Sequence, residues 1–435
     1  MKILRHAAAM ICLALPAHAA VDIQQVTSPG GITAWLVEEH GIPFTALEVH
    51  FRGGTSLDVP EARGAVNLMT ALLEEGSGDL DAQGFAAARD NLAARFGFGS
   101  SADAISISAQ MLTENRDQAV NLLRDALIHP RFDADAVERV RAQVLSGLVS
   151  KTQDPESIAA TTFQHQAFGN HPYGSDDSGT IDSVKALTRD DLTAAHQATM
   201  ARDNLYVAAA GDITPDQLGT LLDELLGDLP AVAASQPGPA TWGATDATTV
   251  VDFPTPQAVV QFGQPGPDVH DPDFMAAFAL NEIVGGGRFT ARLMDELRSK
   301  RGLTYGAYTY LNTMDLGDII VGNFASDNDK VAQAVGIVRD EWAKVARDGV
   351  TESELDAAKT YLTGAYPLRF DGNGPIAGIL VGMQMQGFPI DYPTRRNAMI
   401  EALTLEDVNR VAAEIYDPAK LHFVVVGQPQ GLQAN

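Results

Sequence analysis

Two stretches of this chain carry the same pattern 216 residues apart, and that repeat constrains the fold more than any other feature. "LTRDDLTAAHQATMARDNLYVAAAG" (187–211) aligns without a gap on "LTLEDVNRVAAEIYDPAKLHFVVVG" (403–427). Each copy opens on a threonine, Thr188 or Thr404, followed by acidic residues. That composition suits a helix N-terminus, where a hydroxyl satisfies free amides and negative charge meets the positive end of the helix dipole. Each copy closes in an apolar run ending at glycine, Gly211 or Gly427, and reads as a buried strand. A second pair keeps the same order. "FDADAVERVRAQVLSGL" from Phe132 matches "VTESELDAAKTYLTGAY" from Val350 at an offset of 218, again with an acidic start and helical periodicity. Two matches in one order at nearly one offset indicate duplication.

Between the copies lies "LPAVAASQPGPATWGATDATT" (229–249), rich in Pro, Ala and Gly and without helical or strand period. It reads as a linker. The expected organisation is a leader over 1–19, a first domain over 20–228, the linker, and a homologous second domain over 250–435. Alternation in "ISISAQM" (Ile105 to Met111) predicts sheets with helices packed on one face. The fold class is therefore α+β, as two tandem homologous domains, each a mainly antiparallel sheet packed with helices.

The leader is read from its parts: Lys2 and Arg5, an apolar run from Ala7 to Leu15, and the A-x-A site Ala17-His18-Ala19. The run is too short to span a bilayer, and no later stretch is long and apolar enough to do so. Export to a bacterial periplasm is the expected destination. The single cysteine, Cys12, lies in this leader, so the exported chain would hold no disulfide and no thiolate metal site. Thirty basic residues against 56 acidic ones give a net charge of -26, and removing Lys2 and Arg5 makes it -28. This charge disfavours nucleic acid and anionic membranes as partners.

The stretch "RGAVNLMTALLEEGSGDLDA" (63–82) has a helical apolar stripe, Leu68, Met69, Leu72 and Leu73, and a stop at Gly76 and Gly78. Metal-hydrolase helices carry two histidines one turn apart with a glutamate between them, and in the inverted form the order is H-x-x-E-H. This helix has no histidine. The eight histidines after the leader are His40, His50, His129, His165, His171, His196, His270 and His422. No two stand three to five residues apart.

The surroundings of that helix, "HFRGGTSLDVPEARGAVNLMTALLEEGSG" from His50, resemble the pitrilysin/insulinase family of inverzincin metallopeptidases, which includes the mitochondrial processing peptidases. The family pattern is a strand, then G-x-x-x-E/D-P, then "GLAHFLEHM" and a glycine turn. Laid on it, Asn67 stands at the first histidine, Thr70 at the glutamate base and Ala71 at the second histidine. The third ligand, a glutamate on a later helix, falls at Gly147. The resemblance therefore implies a member that has lost base and ligands together. It extends through "FGNHPYGSDDSGTIDSVKALTRDDL" from Phe168 and is closest in "LNEIVGGGRFTARLMDELRSKRGLTYGAYTYL" from Leu280. There the family's Arg/Tyr pair, which binds substrate and steadies the tetrahedral intermediate, falls on Arg298 and Tyr305, both present.

What the resemblance implies is a processing-peptidase-like fold and a subunit inactive alone. It would bind no cofactor itself and would supply Arg298 and Tyr305 in trans to a homologous zinc-bearing partner that hydrolyses oligopeptides. The alternative is a purely structural or peptide-binding member of the family. Other motifs are weaker. "GFGSSA" (Gly97 to Ala102) fits G-x-G-x-x-G/A, but it does not follow a strand and open a helix as a dinucleotide site requires. "SADAISISAQ" from Ser101 aligns with the family strand that pairs with extended substrate. Its two readings are a sheet edge that accepts a peptide strand and an ordinary core-facing strand.

Overall fold

A computed structural model describes residues 22–432, so the leader expected over 1–19 lies outside the described residues. The first half contains strands β1 (Gln24–Thr27), β2 (Thr33–Glu38), β3 (Phe44–Arg52), β4 (Gly76–Ser77), β5 (Leu80–Asp81), β6 (Arg95–Ser100), β7 (Ala104–Leu112) and β8 (Leu205–Gly211). Its helices are α1 (Ala65–Ala71), α2 (Ala82–Asn91), α3 (Arg116–Ile128), α4 (Ala134–Lys151), α5 (Pro155–Phe168), α6 (Ile181–Ala186), α7 (Arg189–Thr199) and α8 (Pro215–Leu226). The second half contains β9 (Thr248–Asp252), β10 (Gln257–Pro265), β11 (Ala307–Asn312), β12 (Ile319–Asp327) and β13 (His422–Gly427). With them run α9 (Phe274–Gly285), α10 (Val331–Asp348), α11 (Glu352–Ala365), α12 (Asn373–Met385), α13 (Tyr392–Glu401) and α14 (Leu405–Ile415).

The duplication is visible in strand order and direction. The first sheet runs β1-β2-β8-β3-β7-β6 and the second β9-β13-β10-β12-β11. Each has one parallel pair, β2 with β8 and β13 with β9, and is antiparallel across the next three strands. The matched segments occupy equivalent places: α4 with α11, and α7–β8 with α14–β13. Thr188 with Asp191, and Thr404 with Asp407, form reciprocal capping boxes, which explains the shared opening. The glycines that close the copies permit close approach. A Cβ on Gly211, whose φ is +126, would lie 2.3 Å from the Phe44 carbonyl oxygen on β3, and one on Gly427 would lie 2.8 Å from Ala258 on β10.

Alternation along the central strands shows that both faces are covered. Val207 and Ala209 of β8 enter the main core of the first half, while Ala208 and Ala210 enter a second cluster on the opposite face. Phe423 and Val425 of β13 divide from Val424 and Val426 in the same way. The cover on the second face comes from the other half. Helix α12 lays Ile376, Ala377, Leu380 and Val381 on Trp35, Val37 and Ala46 of the first sheet. Helix α5 lays Ala159, Phe163 and Ala167 on Ile319, Val424 and Val426 of the second. Periodicity marks both as helices but does not say which sheet they cover.

The stretch expected as a linker is docked. Trp242 packs edge-on against Phe163 at 5.9 Å and Phe168 at 6.3 Å between ring centroids. The Ala240 amide donates to the Leu316 carbonyl at 2.6 Å and the Gly243 amide to that of Ala167 at 2.7 Å. Thr248 and Thr249 at its end already belong to β9, because they pair with Phe423 and Val424. Among the described residues no helix is long and apolar enough to cross a membrane.

Candidate functional site

Helix α1 begins at Gly64, which offers no side-chain cap, and Asp58 supplies one from a distance. Its carboxylate accepts from the Gly64 amide at 2.8 Å and the Val66 amide at 2.9 Å. Burial pushes this carboxyl up to about 6, against the lowering effect of those two amides and of Arg63. The cap fixes the first turn, and the helix packs on α7, β6 and α4. The resemblance lays the family's metal helix on α1, and the side chains there can be compared with ordinary zinc ligands.

They do not fit. Asn67 is half-buried and its amide donates to Ser100 Oγ at 3.2 Å. Thr70 is buried and its hydroxyl donates to the Val66 carbonyl at 2.8 Å, inside its own helix. Ala71 is exposed, and Gly147 on α4 is exposed with open space where a Cβ would stand. None of the four offers an imidazole, thiolate or carboxylate. Among the described residues no three His, Cys, Asp or Glu side chains gather as a metal-binding group.

The other two predicted residues follow α9. Arg298 lies in a π-helical turn, Met294–Ser299, and Tyr305 follows it in the approach to β11. The turn's carboxylates are engaged by its other cations: Lys300 reaches Asp295 at 2.8 Å and Glu296 at 2.5 Å, and Arg301 also contacts Glu296. Arg298 has no carboxylate partner among the described residues, and its guanidinium carbon rests 4.5 Å from the Phe289 ring centroid. Tyr305 is 85 % exposed. Arg298 is half-buried, and neither side chain makes a hydrogen bond among the described residues, to the other or to a third group.

Tyr305 borders a groove of about 490 Å³ over the face of β10, β12 and β11 that helix α5 leaves open. Glu156, Gln261, Tyr308 and Asn323 line it. These polar residues were missed in the sequence. The signal was the alternation in "QAVVQFGQP", where Ala258, Val260 and Phe262 enter the core and Gln257, Val259 and Gln261 face the groove. Reading that face as a surface required knowing how little of it α5 covers.

The stretch from Ser101 does not offer the edge that one of its two readings required. It forms β7, which is paired on both sides, with β3 and β6. The edge on that side of the sheet is β6, the strand that contains Gly97 and Gly99 of the dinucleotide-like pattern, and β1 is the edge on the other side. The hairpin back from β7 places the earlier strand outermost.

The chain is similar to known proteins of one family. The model of the insulinase family, peptidase family M16, matches residues 34–176, and that of the peptidase M16 inactive domain matches 186–362. A Helicobacter pylori protein named non-peptidase homolog YmxG is 27% identical over 372 residues, 86% of each chain. An uncharacterized zinc protease of Mycobacterium tuberculosis is 27% identical over 91% of each chain. The crystal structure of a peptidase M16 inactive domain from Pseudomonas fluorescens superposes with a TM-score of 0.87 at 29% identity, covering 95% of this chain and 99% of that one.

Proposed function

Because the chain belongs to the insulinase (M16) family as a non-catalytic member, we propose that it is the partner subunit of a zinc metallopeptidase. In this reading it pairs in the periplasm with a homologous subunit that carries the zinc, its ligands and the glutamate base. This chain then supplies Arg298 and Tyr305 to oligopeptide hydrolysis. The observation that carries the reading is the contrast within one chain. The metal helix holds only Asn67, Thr70 and Ala71, while the Arg298 guanidinium has no carboxylate partner among the described residues and Tyr305 stands 85 % exposed.

The chemistry follows from donor type. A guanidinium and a phenol can donate hydrogen bonds to a peptide carbonyl oxygen as it gains negative charge, which favours the tetrahedral state over the ground state. The partner's metal would polarise that carbonyl and supply the nucleophile. The polar groove beside Tyr305 is placed to hold flanking backbone.

The test is reconstitution. The chain is purified alone and together with a zinc-bearing M16 homologue from the same cell, and zinc content and peptide cleavage are measured. The expected result is no zinc and no cleavage by this chain alone, and cleavage by the pair. In the pair, Arg298→Ala or Tyr305→Phe should lower kcat about a hundredfold, the usual cost of losing one donor to a developing oxyanion. Chelator-sensitive cleavage by the chain alone overturns the proposal. Full activity of the doubly substituted pair favours a purely structural or peptide-binding subunit.

A further inference from the structure

We propose that the cavity between α9, α12 and α13 binds a carboxylate carried on an apolar body, a ligand distinct from the peptide held at Arg298 and Tyr305. The cavity measures about 360 Å³, within the range of small-molecule sites. Its walls are aromatic: Phe274 and Phe278 on α9, Tyr366 beyond α11, and Phe388 stacked on Tyr392 at 4.1 Å between ring centroids. Two arginines, Arg369 and Arg396, are among its lining residues.

Arg396 is only 6% exposed and is sandwiched between rings, 4.3 Å from the Tyr366 centroid and 5.4 Å from that of Phe278. It donates to the Leu362 carbonyl at 3.2 Å and to Asn397 Oδ1 at 3.3 Å. Neither arginine has a carboxylate partner among the described residues, and the nearby Asp391 pairs with Arg395 at 3.4 Å. Burial works against the charge on Arg396, partly offset by the neighbouring Tyr392 and Tyr366 phenols, while Arg369 adds repulsion. Buried charges are ordinarily paired. In a chain with 56 acidic and 30 basic residues, the buried Arg396 has only neutral partners, and with the exposed Arg369 lining the same cavity it forms a site short of one anion. Guanidinium forks match carboxylate geometry, and the aromatic walls suit an apolar body where a hydrated phosphate would lose its water without return. A free aryl or alkyl carboxylate and the C-terminus of a peptide with an apolar last residue share this chemistry. The occupant would also touch the joint of the molecule, since α12 lies on the first sheet while α9 and α13 belong to the second half.

The test is calorimetric titration of the full chain with 3-phenylpropionate, with the peptide Ala-Ala-Phe, and with the amide of each. Saturable binding of an acid, at least tenfold tighter than its amide, is the expected result. Whichever acid binds identifies the source. Arg369 is exposed, so Arg369→Gln should leave folding intact and weaken the acid about tenfold. Gly382 lines the cavity and a Cβ there meets nothing within 4 Å, so Gly382→Leu should fill the space and abolish binding. These two variants avoid the buried Arg396, whose loss would also disturb packing. The proposal is overturned if neither acid binds at millimolar concentration, if amides bind as tightly as acids, or if Gly382→Leu binds unchanged.

Discussion

Arg298 and Tyr305 differ from most polar residues here in being held in place without being used for the fold. Removing the Tyr305 hydroxyl deletes a group in water, so Tyr305→Phe should change unfolding free energy by less than about 0.5 kcal/mol. Arg298→Ala removes one contact with the Phe289 ring and should cost about 0.5–1 kcal/mol. Denaturant titration of each variant, set beside its activity in the reconstituted pair, separates a substrate contact from a structural one. A loss above about 2 kcal/mol in either would mean that the residue serves the fold. The resemblance of the stretch from Leu280 to a family motif made these two residues visible, because a turn between helix and strand keeps its local order and can be matched residue by residue. Glu156, Gln261 and Asn323 stayed hidden because they meet only through a helix and a sheet from different halves.

Helices α1 and α4 make a sharper case, since the family resemblance lays a metal site on them and its ligand side chains are absent. Residues 67 and 71 are one turn apart on α1, Ala71 is exposed, and a Cβ at 147 meets open space. The triple variant Asn67→His, Ala71→His, Gly147→Glu should therefore fold and bind about one zinc per chain by elemental analysis, from three ligands of ordinary type. If it binds none, the two helices have moved relative to one another and more than side chains was lost. Much of the element pattern was legible: the capped helix starts at Thr188 and Thr404, the buried strands ending at Gly211 and Gly427, and the one-sided alternation of Ile105 and Ile107. The exchange of α5 and α12 was not, because an apolar stripe records that a partner exists and leaves its identity open. The edge position of β6 was missed for a related reason, since strand order depends on long-range pairing. Leu380 is fully buried between α12 and the first sheet. Leu380→Ala should cost about 2–5 kcal/mol by leaving a cavity there. If the exchanged helices bind the halves into one cooperative unit, calorimetry of this variant shows a single transition at lower temperature. Two separate transitions would mean that each half melts alone.

The joint between the halves also gives the molecule a pH response. Asp103 of the first half accepts from the Tyr173 hydroxyl and, at 3.3 Å, from the Asp315 amide of the second. The Tyr173 oxygen accepts from the Leu316 amide at 3.0 Å, and Arg52 lies 3.5 Å from Asp315. Burial pushes the carboxyls of Asp103 and Asp315 above the usual range and that of Asp318 up to about 6. Asp58 under α1 is also at about 6, again through burial. In the unfolded chain such groups titrate near 3.9. Between those values the folded state binds more protons than the unfolded one, so stability falls as pH rises from about 4 through 6 and is recovered on acidification. The net charge of -26 acts in the same direction, because protonation relieves self-repulsion. The buried carboxyls alone should therefore raise unfolding free energy by about 1–3 kcal/mol between pH 7 and pH 5, given that a tenfold difference in proton affinity between folded and unfolded chain is worth roughly 1.4 kcal/mol. His196 and His422, whose imidazoles burial holds below the usual histidine range, oppose that gain over the same pH window. Urea titrations across that range measure it. Asp318→Asn, whose side-chain oxygen can still accept from the Met314 amide now 3.0 Å from Asp318, should flatten the slope. Addition of about 0.5 M salt should remove the part due to net charge and leave the part due to the joint. A slope that Asp318→Asn leaves unchanged at high salt would show that this carboxyl ionises freely and that the joint opens to water at neutral pH.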